Sequence, residues 1–194
     1  MNMPTLTTLN ANTFFTINSW AGKSPALDML IVYGAKYAIY LLFLVSFLCV
    51  AHLVHRKQWR SVLFFCISLI ASFGILFIAS KLFSSDRPFV GHHVTQLIPH
   101  AANQSFPSDH STASMALALA LFVFTRFKRT ACILIITAII IGVSRIAAGV
   151  HYPLDVLGGF LTAALGIGLA YIAYRLHTTK QAVRFDAKPS SSTE

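Results

Sequence analysis

The chain has 194 residues, of which 56% are hydrophobic and only 11% charged, with 16 phenylalanines and a formal charge of +9. That balance excludes an ordinary water-soluble domain and points to a chain that lives in a bilayer. The basic excess falls where a membrane protein concentrates it, in loops on one side, so nucleic acid is not a required partner.

Residues 1–25 lack the basic start and apolar core of a signal peptide, so no cleavage is expected. Leu6, Leu9, Phe14, Ile17 and Trp20 recur at roughly helical spacing among Thr and Asn, which predicts an interfacial amphipathic helix, with a disordered tail as the alternative. Five apolar runs follow, at Leu30–Val54, Ser61–Ser80, Ser111–Phe124, Thr130–Val143 and Val156–Tyr174. A helix needs about 20 residues to cross the hydrocarbon. The third run reaches that length only by starting near Pro107, and the fourth only by continuing past Arg145, which puts polar residues at the outer ends of both.

The expected fold is therefore an all-α integral membrane bundle of about five transmembrane helices, six if the N-terminal helix spans. Residues 26–178 would form this one domain, followed by a cytoplasmic tail over 179–194 whose end, "KPSSSTE", predicts disorder. No internal repeat and no second domain are visible. Cys49, Cys66 and Cys132 lie inside apolar runs and are expected to pack as small hydrophobes.

Arg56, Lys57 and Arg60 follow the first run, Arg126, Lys128 and Arg129 the third, and Arg175, Lys180, Arg184 and Lys188 the fifth. The positive-inside rule makes all of these cytoplasmic. Five crossings then place the N-terminus outside and the C-terminus inside. The loops at 81–107 and 145–155 would both face outward.

Those loops carry "KLFSSDRP" at 81–88, "PSDH" at 107–110 and "SRIAAGVHYPLD" at 144–155. Alone, each has a plain account: basic residues snorkel at helix ends, Ser and Asp cap helices, and a histidine can be a packed core residue. Together they suggest a phosphate receptacle. Arg87 and Arg145, with Lys81 as a candidate third, supply positive charge, and the amides opening the Ser108 helix supply donors. His151 has Asp155 four residues on, with Pro153 starting a helix between them, an arrangement able to fix one imidazole tautomer. His110 has no such carboxylate and suits proton donation.

The order of a basic residue before "RP", then "PSxH", then "SR" with a spaced His and Asp resembles the three-part signature of the type 2 phosphatidic acid phosphatase superfamily, which also includes vanadium haloperoxidases. Ser144, Arg145, His151 and Asp155 match without a gap; Asp109 stands where the family usually has Gly. Lys81 falls one residue closer to Arg87 than the pattern, with Ser80 in the expected register. More narrowly, "LIPHA" and the Asp of "PSDH" resemble bacterial undecaprenyl pyrophosphate phosphatases of the bacitracin-resistance subgroup.

The resemblance implies metal-independent hydrolysis through a phosphohistidine, with no cofactor. His151 would attack, Asp155 orient it and His110 protonate the leaving group. Arg87, Arg145, Ser108 and Asp109 would bind the phosphate, with Ser144 in support. The substrate would be a polyprenyl diphosphate or another phospholipid, met at the outer face of a bacterial plasma membrane while the cell-wall carrier lipid is recycled.

Phosphatidic acid, phosphatidylglycerol phosphate or a sphingoid phosphate is the alternative substrate for the same site. A transporter is less expected because the charges cluster at helix ends. The haloperoxidases are soluble. His92, His93 and His100 could form a zinc site, but no Cys or Glu accompanies them, and a loop covering the diphosphate is the expectation.

Overall fold

The computed structural model describes residues 5–186; the predicted disorder of "KPSSSTE" falls outside them. The described residues form helices and connecting loops: α1 (Leu6–Asn18), α2 (Pro25–Val32), α3 (Ala38–His55), α4 (Trp59–Leu82), a single turn α5 (Pro88–Gly91), α6 (Asp109–Phe124), α7 (Lys128–Ala147) and α8 (Pro153–Asp186). A π-helical turn, Tyr33–Tyr37, joins α2 to α3 without a break. Local chemistry sets the starts: Thr5, Ser24 and Ser108 cap α1, α2 and α6 through their side-chain oxygens, and Pro153 opens α8.

Among the described residues, four stretches are long and apolar enough to cross a membrane: Pro25–His55, Trp59–Leu82, Lys128–Ala147 and Pro153–Thr179. Their outer faces expose Phe47, Ile70, Phe77, Ile133 and Leu161, each more than half accessible. Such a surface is tolerable only against lipid. The chain is a multi-pass membrane protein.

Helix α6 differs from these four. Its 16 residues rise about 24 Å at 1.5 Å per residue, short of a hydrocarbon layer of about 30 Å. It can be short because it is the central helix, buried along most of its length against α3, α4, α7 and α8. Small residues bring its neighbours close, as is usual between membrane helices. A Cβ at Gly166 would lie 2.4 Å from the backbone nitrogen of Ser72 on α4, and one at Gly159 would lie 2.7 Å from the carbonyl oxygen of Ser108. Thr112 and Thr162 bond across the α6–α8 contact at 3.0 Å, and Ser72 donates to the Ala163 carbonyl at 3.2 Å. Leu42, Phe65, Leu121 and Ile141 fill the surrounding core.

The topology sends the end of α3, both ends of the α6–α7 connection, the start of α4 and the far end of α8 to one end of the bundle. That end carries Arg56, Lys57, Arg126, Lys128 and Arg175, together with Arg60, whose guanidinium sits 4.5 Å from the Tyr174 ring centroid. The segments "RP", "PSDH" and "SRIAAGVHYPLD" lie at the other.

Helix α1 has 13 residues, about 20 Å, too few to span. It lies at the end that carries those three segments, and Phe14 of its apolar series is buried there together with the polar Asn18. Leu6, Leu9 and Trp20 are exposed, whereas Phe14 and Asn18 are buried. The reason is what lies beneath: loop backbone needing polar partners. Asn18 Nδ2 donates to Thr95 O and Ala147 O, both at 2.8 Å, while its Oδ1 accepts from Thr95 N at 3.1 Å. Asn10 Oδ1 accepts from Leu154 N at 3.0 Å. Helix α8 runs unbroken to Asp186, beyond its membrane-length stretch and into the expected tail. One expectation changes. Cys66 and Cys132 are exposed on the bundle's outer face, leaving only Cys49 partly packed, because an apolar run in a bundle includes its lipid side.

Candidate active site

Five of the residues singled out in the sequence come together where the N-terminus of α6 meets the C-terminus of α7 and the loop into α8. Arg87, just before α5, is 4% exposed and is held at every nitrogen: Nε donates to Asn103 Oδ1 at 2.9 Å, one terminal nitrogen to Val150 O at 2.9 Å, the other to Gln104 O at 3.2 Å. The nitrogen that meets Val150 also lies 3.2 Å from His151 Nε2. Arg145, on the last turn of α7, approaches the same Nε2 at 3.4 Å. Guanidinium groups only donate, so Nε2 faces both as an acceptor, with its lone pair directed at the space between them.

A backbone irregularity holds Arg145. It donates at 3.3 Å to the carbonyl of Ala35, inside the π turn, where the widened helix leaves a carbonyl available. Gly34 lets that turn touch α7: a Cβ there would meet Ser144 Oγ at 2.2 Å. Ser144 therefore packs against the first membrane helix. The Nε of Arg145 is buried without a hydrogen-bond partner among the described residues.

His151 and Asp155 are each 2% exposed, with Nδ1 3.5 Å from Asp155 Oδ2. That separation is at the outer limit of hydrogen bonding. Ser105 lies between them, its Oγ 3.2 Å from Nδ1 and 2.5 Å from Oδ2. Asp155 Oδ2 also accepts from Tyr152 N at 2.8 Å, and its carbonyl accepts from Ser108 N at 2.9 Å, which ties the start of α8 to the start of α6.

Burial pushes the His151 imidazole down to about 4; bonding to Asp155 opposes this, and the charges of Arg145 and Arg87 reinforce it. Burial likewise lowers Arg87, opposed by Asp155 and Asp109.

Ser108 is fully buried and serves as the cap of α6, accepting from Ser111 N at 3.4 Å and Ser111 Oγ at 3.1 Å. Asp109 is exposed in the first turn. His110 is half-buried, and among the described residues its ring has no hydrogen-bond partner. Lys81 is not brought into this cluster: it is exposed at the end of α4 with its ammonium 5.6 Å from the Phe77 ring centroid. The three loop histidines separate. The His92 ring packs on Phe15, with centroids 5.5 Å apart, while that of His100 stands 6.2 Å from His151. Burial lowers His100 as well, with Arg87 and Arg145 adding to the effect.

Sequence reasoning missed Ser105, Asn103, Asn18 and the π turn. "QSFPSDH" displays Ser105, but no spacing rule links it to a carboxylate fifty residues away. Asn18 binds backbone groups and Asn103 the Arg87 side chain, and neither contact leaves a periodic trace.

The family model of the PAP2 superfamily matches residues 61–182, which include Arg87, His110, Arg145, His151 and Asp155. The chain is 35% identical over 168 residues to the undecaprenyl-diphosphatase BcrC of Bacillus subtilis, covering 86% of this chain and 84% of that one. It is 33% identical to the bacitracin transport permease protein BcrC of Bacillus licheniformis, covering 81% and 76%. Among solved structures, Aquifex aeolicus LpxE superposes with a TM-score of 0.68 at 28% identity, over 84% of this chain and 94% of that one.

Proposed function

The chain belongs to the PAP2 superfamily, and from that membership we propose that it is a membrane lipid phosphatase that converts undecaprenyl diphosphate to undecaprenyl phosphate and inorganic phosphate. One observation carries the reading: the His151 Nε2 lone pair faces a seat walled by two fixed guanidiniums beside the N-terminus of α6.

In this reaction the terminal phosphoryl group sits against Arg87, Arg145 and the first amides of α6, near Ser108, Asp109 and His110. Those donors neutralise its oxygens, where phosphoryl transfer gains most. His151 Nε2 attacks phosphorus in line, and the bond to the bridging oxygen breaks. That oxygen leaves with the lipid phosphate, protonated by His110. Asp155 stabilises the imidazolium character that develops on His151. Water then attacks the phosphohistidine, His110 takes its proton, and inorganic phosphate departs as the imidazole is regenerated. The low affinity of His151 for protons suits the first step, since it is neutral and nucleophilic near pH 7. Ser144 supports this site by packing against Gly34, which sets the seat of Arg145, and Lys81 contributes at most to the surface field.

The apolar outer faces let an isoprenoid tail remain in the bilayer while its diphosphate reaches the end of α6. Basic residues at the opposite end favour an outward-facing site in the bacterial plasma membrane, with the C-terminus in the cytoplasm. There the enzyme would recycle the cell-wall carrier and protect against bacitracin. A transport role fits less well: transported solutes bind near the bilayer midplane, whereas these charges gather at helix ends.

The test is phosphate release by purified protein in detergent with EDTA, offering undecaprenyl diphosphate against phosphatidylglycerol phosphate. Release that survives EDTA and favours the polyprenyl substrate supports the reading. Activity confined to the glycerolipid overturns the substrate, and complete loss in EDTA overturns the metal-free mechanism. His151→Ala should abolish release while the protein still inserts; near-normal turnover would remove His151 as nucleophile.

A further inference from the structure

We infer that Ser105 is a positioning residue that relays the Asp155 carboxylate to the nucleophilic imidazole, so that His151 and Asp155 act through a three-membered chain. The inference rests on His151 being the nucleophile.

Proton bookkeeping supports it. Ser105 Oγ is 2.5 Å from Asp155 Oδ2, and an ionised carboxylate only accepts, so the hydroxyl proton must point to Asp155. A hydroxyl has one proton. At 3.2 Å from His151 Nδ1, Ser105 Oγ can then only accept, which requires a proton on Nδ1. A neutral imidazole protonated at Nδ1 carries its lone pair on Nε2. That is the same tautomer the two guanidiniums demand from the other side of the ring. Two independent sets of contacts thus agree, and the serine is the nearer of the two partners at Nδ1.

The position is built rather than incidental. Ser105 is 0% exposed, and its backbone N–H donates to Ser85 O at 2.8 Å, fastening it to the loop that carries Arg87. When Nε2 takes the phosphoryl group the ring becomes cationic. The Nδ1–H···Oγ–H···Oδ2 chain then brings the carboxylate's charge to bear on it without moving the proton off nitrogen. Without the hydroxyl, only the Asp155 oxygen at 3.5 Å remains to hold Nδ1 protonated. The tautomer with hydrogen on Nε2, which leaves that nitrogen no lone pair for attack, is then less strongly disfavoured.

Ser105 does not touch the phosphate seat, so its removal should act on turnover rather than binding. Ser105→Ala is expected to lower kcat about 10- to 100-fold and slow phosphoenzyme formation equally, with KM changed less than about threefold. The Ser105→Ala, Asp155→Asn double variant should be little slower than Asp155→Asn alone, because both break one chain. If the alanine variant fails to give a monodisperse, cooperatively melting protein, Ser105→Cys replaces it. That substitution keeps the volume but gives a weak donor and acceptor, so the same loss is expected.

A folded variant with kcat within about twofold of wild type, or losses that multiply in the double variant, would overturn the relay. His151→Ala, measured alongside, separates the two ideas. If it stays active the nucleophile is wrong; if it is dead while Ser105→Ala is unimpaired, only the relay is wrong.

Discussion

Replacing Gly159 by alanine adds one methyl group at the point where α8 supports the start of α6. The new Cβ would lie 2.7 Å from Ser108 O, 2.9 Å from Ser111 Cβ and 3.0 Å from Thr112 N. Two of these are backbone atoms, so no side-chain rotation relieves them and the helices must separate by about half an ångström or more. Overpacking of this kind costs about 1–3 kcal/mol. At about 2–4 °C per kcal/mol for a chain of this size, the melting temperature should drop by roughly 5 °C.

The effect on activity should be larger. Ser108 N also donates to the Asp155 carbonyl, so a displaced α6 disturbs both the phosphate-facing amides and the partner of His151. Misplacement approaching 1 Å can lower a rate about 100-fold. The assay is kcat/KM for phosphate release together with thermal melting in one detergent. Gly168→Ala is the matched control: it lies on the same helix with nothing within 4 Å of its new methyl. It should leave activity unchanged and stability equal or higher by up to about 1 kcal/mol, from helix propensity. A Gly159→Ala protein as active and as stable as the Gly168→Ala control would refute the view that this close approach positions the site.

Arg87→Lys keeps the charge but loses the fork that meets Asn103, Val150 and Gln104 together, so kcat/KM should fall by about 100-fold or more in steady-state assays. Asn18→Ala strands the Thr95 and Ala147 backbone groups and should destabilise the protein by about 2–3 kcal/mol, with faster hydrogen exchange in the loop around Thr95. The depressed His151 also makes a pH prediction. An unfolded histidine titrates near 6.5, and the folded one near 4, so the folded state binds fewer protons between those values. The stability this contributes is present above about pH 6.5 and is lost as pH falls toward 4. Wild type should therefore lose melting temperature over that window relative to His151→Ala; a gain on acidification would contradict the burial of a neutral imidazole.

Composition and residue order by themselves determined the class of fold and the chemistry. Five apolar runs become five membrane-length or buried helices because burial of such surface leaves no alternative in a bilayer, and the basic loops fall at one end for the same electrostatic reason. Arg87, His110, Arg145, His151 and Asp155 could be proposed from the sequence because fixed charges and histidines from three separate motifs fall at helix ends on one side of the bundle. What only the tertiary structure decided is how they are held. Ser105 sits between His151 and Asp155, Ala35 offers its carbonyl to Arg145 from a π turn, and Asn18 straps the loop around Thr95 to α7. Each of these joins segments far apart in the chain through one ordinary residue or one backbone group. A hydrogen bond of that kind has no period and no compositional signature, so it exists only once the helices are packed. Lys81 illustrates the converse: its motif neighbourhood made it a candidate phosphate ligand one residue out of register, and where α4 ends leaves it exposed beside Phe77.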